Sequence, residues 1–138
     1  MSEHPGRRFV SPDEVEALVF DWGVLKWISS PRATGAERFS AGVVLLRPGR
    51  GHRTHDHPGV EEILYVISGH GEQMVGAERR MIGPGDVVHI PPDVPHETVN
   101  RGFEELKILA IYAPPGPEEE LRSRPECTLV PPGQTVPG

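Results

Sequence analysis

Three histidines and one glutamate stand at spacings that can build a metal cage. His55 and His57 are two residues apart. Successive side chains on a strand point to opposite faces, so a strand through both aims the two imidazoles at one point. The Pro58-Gly59 pair then reverses the chain, and Glu62 returns on the neighbouring strand with its carboxylate beside them. His96 supplies a third imidazole. A buried Glu62 without a counter-charge would cost several kcal/mol or shift its protonation, and a divalent cation removes that cost. Nitrogen and oxygen donors of this kind suit one divalent transition metal, Fe, Mn, Ni, Co or Zn. An octahedral ion so held keeps about two positions for water, substrate or dioxygen.

Strand parity also nominates the walls of a small-molecule pocket. Arg53 shares a face with His55 and His57, Leu64 and Val66 share one with Glu62, and Thr98 and Asn100 share one with His96. The planar fork of Arg53 would grip an anionic group on a substrate. His52 lies three residues before His55 and so faces away unless a bulge intervenes. His70, in a Gly-His-Gly turn, and His89, before Pro91, are expected to face solvent or to pack. Glu61, the rival of Glu62, points oppositely and could support the site from behind. Ile63, Tyr65 and Ile67 make an apolar stripe on the other face, which Trp22 and Trp27 could join.

Read as a pattern, these positions run G-x5-H-x-H-x4-E-x6-G from Gly49 to Gly69 and G-x5-P-x4-H-x3-N from Gly85 to Asn100. The pair resembles the two signature motifs of the cupin superfamily, and the resemblance covers residues 42–112. Asp93 stands where the second motif usually has Gly, in a turn that asks for positive φ, which Asp tolerates better than most residues. The resemblance implies a small jelly-roll β-barrel around a buried mononuclear metal held by His55, His57, Glu62 and His96. It also implies a homodimer. Dioxygenases, isomerases, epimerases and decarboxylases share this scaffold, so the likeness names a site rather than a reaction. One intact HxH motif makes this a single-domain cupin and favours sugar-like, hydroxy-acid or diketone substrates. The competing reading is a non-catalytic binding or sensing module whose metal only organises the pocket.

The elements that must position these groups are short. Segments VFDWGVLKWIS, FSAGVVLL, RTHDH, EEILYVIS, GEQMV, ERRMI, DVVHI, HETVN and ELKILAIY are each bounded by Gly, Pro, Asn or Asp, which predicts an all-β sandwich or barrel. Gly76-Ala77 suits a two-residue hairpin turn. Ser11-Pro12-Asp13-Glu14 carries a capping-box pattern that predicts a short helix over residues 12–18. After Tyr112 come seven of the sixteen prolines, which predicts one helical turn at Pro117 and an edge strand at TLV. The chain divides on this reading into an N-terminal arm and short helix (1–18), a cupin barrel (19–113) and a Pro-rich tail (114–138).

At 138 residues one domain with a real core is expected. The net charge of −6 with scattered basic residues argues against nucleic acid as a partner. Neither a membrane-length apolar run nor a secretion signal appears, which points to a cytoplasmic protein. Cys127 is the only cysteine, which rules out an intrachain disulfide and a cysteine-based zinc cluster; its expected role is packing.

Overall fold

Period-two burial runs through the strands and decides which residues meet inside. The computed structural model describes residues 6–136, with the side chains at 53 and 54 outside the description. Among the described residues are eleven strands: β1 (Ala17–Phe20), β2 (Gly23–Ser29), β3 (Ser40–Leu46), β4 (Gly51–His55), β5 (Glu61–Ser68), β6 (Gly71–Val75), β7 (Glu78–Ile82), β8 (Val87–Ile90), β9 (His96–Val99), β10 (Leu106–Ala113) and β11 (Thr128–Val130). Two short helices, α1 (Pro31–Thr34) and α2 (Pro117–Arg122), sit at the periphery. The strands form two antiparallel sheets, ordered β11-β1-β2-β3-β10-β5-β8 and β4-β9-β6-β7. This is the expected all-β jelly-roll architecture.

Between the sheets lies the core. Leu64 and Val66 of β5 turn inward while Ile63, Tyr65 and Ile67 turn outward, and on β10 Leu106, Ile108, Ala110 and Tyr112 are the inward set. Burying each large aliphatic side chain here contributes about 1.5–3 kcal/mol. Gly42 of β3 makes room for the Trp27 ring, since a Cβ there would lie 2.4 Å from Trp27 Cε3. Trp27 therefore packs inside against Tyr112, at 5.1 Å between ring centroids. Trp22 stacks on Phe20 at 4.8 Å and packs against the core. Both tryptophans thus face the interior instead of joining the outer stripe.

Several boundaries differ from the sequence reading. The Ser11 capping box is present, but it starts only a 3₁₀ turn over Pro12–Glu14. Ala17 and Leu18, expected in that helix, instead begin β1, which pairs with β2 on one side and β11 on the other. The apolar, β-branched run gains a ladder on both edges, which outweighs its modest helical propensity. The segment from Val19 to Ser29, read as one strand, is a hairpin that turns at Asp21-Trp22. Within the Pro31-to-Gly35 loop, Ser30 Oγ accepts from Ala33 N at 3.1 Å and Gly35 adopts φ 82°, which together cap the single turn of α1. The Gly76-Ala77 turn, the Pro117 helical turn and the TLV edge strand all form. No helix among the described residues is long and apolar enough to cross a membrane.

Candidate metal centre

The pairing of β4 with β9 brings the histidines together. His52 lies opposite Thr98 and His55 opposite His96, so β4 spends one residue more than β9 between those two pairs. That bulge turns His52 and His55 toward the same face. After β4 the chain turns through Gly59 at φ 70°, and Val60 N donates to His57 O at 3.0 Å. The turn is pinned from the β8–β9 loop, where Asp93, at φ 67°, accepts from Gly59 N at 3.1 Å through Oδ1. Asp93 thus supplies both the left-handed backbone expected of it and a bond that glycine could not make. Glu62 arrives on β5 between Ile90 and Tyr112.

One ligand atom from each of His55, His57, Glu62 and His96 lies within 4.8 Å of the others. Glu62 Oε1 is 3.2 Å from His96 Nε2 and 3.7 Å from His57 Nε2. None of these three buried atoms has a hydrogen-bond partner: His57 stands too far from Glu62 for a bond, and the close approach of His96 does not make one. Donors bound at about 2.1 Å to one ion lie roughly 3 Å apart when cis and about 4.2 Å apart when trans, so these separations fit an ion between them. The tautomer fits as well. His96 Nδ1 lies 3.0 Å from Val94 O, where it donates its hydrogen and leaves the Nε2 lone pair directed at the cluster.

Electrostatics separate the imidazoles. Burial pushes His57 below its ordinary value and outweighs the pull of Glu62, so the ring stays neutral and able to ligate. Burial also pushes His96 down, but the close negative charge of Glu62 more than offsets it and holds the ring above its ordinary value. His52 is depressed to about 2, by burial first and then by His55. Its ring stacks on Trp22 at 4.5 Å and lies 4.0 Å from that of His55.

An internal cavity of about 40 Å³ adjoins the cluster, with Leu64, Thr98 and Tyr112 among its walls. A water needs about 10–15 Å³, so the space holds roughly three waters or the end of one small molecule. Of the residues expected as pocket walls, Leu64 and Thr98 reach this cavity, whereas Val66 is fully buried in the core beyond it. Asn100 is also off the cavity. Its Nδ2 donates to Leu46 O and Glu104 O, and its Oδ1 accepts from Gly102 N, so the whole amide is spent on loop closure. The Arg53 side chain lies outside the described residues. Glu61 points outward and pairs with exposed His89 at 2.5 Å, which removes it from any support of the cluster. Cys127 packs against the core as expected.

Among the cavity walls, His52 was expected to face away and Trp22 to join the outer stripe, and Tyr112 was not read as a wall at all. The bulge hides His52, and the unseen hairpin hides Trp22. Tyr112 could have been found, since it shares parity with Ile108 and Ala110. Its ring packs 5.1 Å from that of His57, and burial, then Glu62, pushes its phenol well above the ordinary value. It stays protonated at neutral pH.

The polyketide synthase CurC of Streptomyces cyaneus is 30% identical over 114 residues, 83% of this chain and 74% of that protein. The structure of KdgF from Halomonas sp. superposes with a TM-score of 0.71 at 21% identity, covering 81% of this chain and 99% of that one. The oxalate decarboxylase formate complex of Lactobacillus farciminis gives a TM-score of 0.69 at 28% identity over 75% of this chain and 32% of that one. The profile of the cupin domain matches residues 42–112, both motifs included. The chain belongs to the cupin family.

Proposed function

We propose that this cupin is a metal-dependent enzyme for a small polar metabolite, with one divalent transition metal held by His55, His57, Glu62 and His96. The observation that carries the reading is the set of three buried, unbonded atoms, His57 Nε2, Glu62 Oε1 and His96 Nε2, converging on one point. Such groups cost about 1–3 kcal/mol each when left unmade, and an ion bound among them removes that cost. When bound, the metal supplies Lewis acidity toward substrate oxygens or a place to activate dioxygen.

The chain's own groups then define what enters. Leu64, Ile108 and Ala110 exclude bulk water, Thr98 Oγ1 is oriented by its 2.5 Å bond to Gln73 Oε1, and the protonated Tyr112 keeps its hydrogen. The small cavity supports a substrate whose reacting end is a few atoms wide: a hydroxy acid, a diketone or the carbonyl end of a sugar. The formate complex of the oxalate decarboxylase supports the same scale. We place the protein in the cytoplasm as a homodimer.

Elemental mass spectrometry on tag-free protein purified anaerobically, beside His96→Ala, tests the cage. Near-stoichiometric metal in the wild type and its loss in the variant are expected; metal absent from both overturns the reading. Turnover on an oxygen, sugar and keto-acid panel then sorts the chemistry, with oxygen uptake marking an oxygenase and product without uptake an isomerase or lyase. Full metal occupancy without turnover would return the barrel to the class of binding modules.

A further inference from the structure

A second cavity, of about 100 Å³, shares no lining residue with the one at the histidines. It lies where the N-terminal turn, β1, β2, α1 and α2 meet. Three of its lining residues carry buried polar atoms without hydrogen-bond partners: Arg7 Nη1, Trp27 Nε1 and Glu118 Oε2. Glu118 is only 2% exposed. Its Oε1 is already spent, accepting from Ser40 Oγ and from Gly116 N at 2.8 Å each, so Oε2 alone remains. Neighbouring charges on the rim are paired among themselves, Arg122 with Glu16 at 2.6 Å and Arg32 with Glu119 at 2.6 Å. Arg7 reaches Glu14 only at 4.0 Å.

Orphaned groups buried together in a native protein require an explanation, because each forgoes its hydration. The three define a complement: two donors, one of them cationic, and one anionic acceptor, against the apolar flank of Leu18 and Ala33. We propose that this cavity is a second binding site, for a small α-amino acid. Its carboxylate accepts from the Arg7 guanidinium and the Trp27 indole N–H, and its ammonium donates to Glu118. A zwitterion satisfies buried Glu118 and half-buried Arg7 at once, whereas a simple anion would leave Glu118 facing like charge and a simple cation would do the same to Arg7. The volume admits a molecule of about five to seven heavy atoms, or roughly seven to ten waters.

Calorimetric titration of the full chain with glycine, L-alanine and L-serine tests the site, with acetate and ethylammonium as half-ligands. Saturable binding of at least one amino acid is expected, accompanied by a change in tryptophan fluorescence, with each half-ligand weaker by about tenfold or more. Glu118→Gln, close to isosteric, and Arg7→Gln should each weaken binding by about tenfold or more, while His96→Ala leaves it intact. Binding that survives Glu118→Gln but is lost in His96→Ala would assign the ligand to the metal centre and overturn the proposal. So would the lack of saturable binding by all three amino acids, with only waters in the cavity of a soaked crystal. Metal content is measured separately, so failure here leaves the reading of the metal centre untouched.

Discussion

His96 meets two demands with one ring: Nδ1 bonds the Val94 carbonyl, and Nε2 is left beside Glu62 with nothing to bond. Replacing it removes both a ligand and the anchor that orients it. His96→Ala should therefore lower metal affinity by more than about 100-fold, since loss of a merely supporting partner already costs 10–100-fold. His89→Ala, which breaks an exposed pair with Glu61, should leave metal content unchanged, and equal losses in the two variants would refute the assignment. Ligating imidazoles must also be deprotonated, so metal retention in dialysis should fall as pH drops below about 6. Full metal retention at strongly acidic pH would rule out a histidine cage. Cys127 makes a different test: burial pushes its thiol up, so less thiolate is present at any given pH. Alkylation by iodoacetamide at pH 8 should run several-fold slower in the native protein than in guanidinium. The grouping of His55, His57, Glu62 and His96 was legible from their spacing, although β4 ends at His55 and His57 joins the cluster from the loop beyond it rather than from the strand expected to carry both imidazoles. Spacing misled where backbone irregularity or loop closure intervened, as for His52 behind its bulge and Asn100 with its amide fully claimed.

Two turns hold the ligand-bearing strands in register, and one hydrogen bond joins them. Asp93 keeps φ 67° and ties the β8–β9 loop to Gly59 in the loop between β4 and β5. Asp93→Gly should cost about 1 kcal/mol, the bond alone. Asp93→Ala should cost about 2 kcal/mol, because a Cβ without a compensating side-chain bond adds left-handed strain. Denaturant unfolding of both variants checks the order, and equal costs would show that strain plays no part. Most elements were readable from alternation and from their Gly and Pro boundaries. The N-terminal segment was not: local capping at Ser11 argued for a helix, while the pairing of Ala17–Phe20 with β2 and β11 is a long-range effect that no local window contains.

Across the whole molecule, metal binding and folding draw on the same free energy. Metal at about 100 times its Kd adds about 2.7 kcal/mol, which for a chain of this size raises Tm by about 8 °C; chelation should lower it by the same amount in a thermal melt. A chelated sample with unchanged Tm would count against a preformed cage. The proposed homodimer has a candidate face in Ile63, Tyr65 and Ile67, each about 40% exposed, with Val87 beside Tyr65. Tyr65→Asp should halve the mass seen by light scattering while leaving metal content intact. The pairing of β11 with β1 joins residues 128–130 to residues 17–19. During synthesis β1 emerges first yet waits for almost the entire barrel before its second neighbour exists, so an open strand edge persists on the nascent chain. Residues 128–130 therefore act as the closing piece of the large sheet, and a chain cut before them would hold a barrel that is almost whole but still adhesive at the open edge of β1.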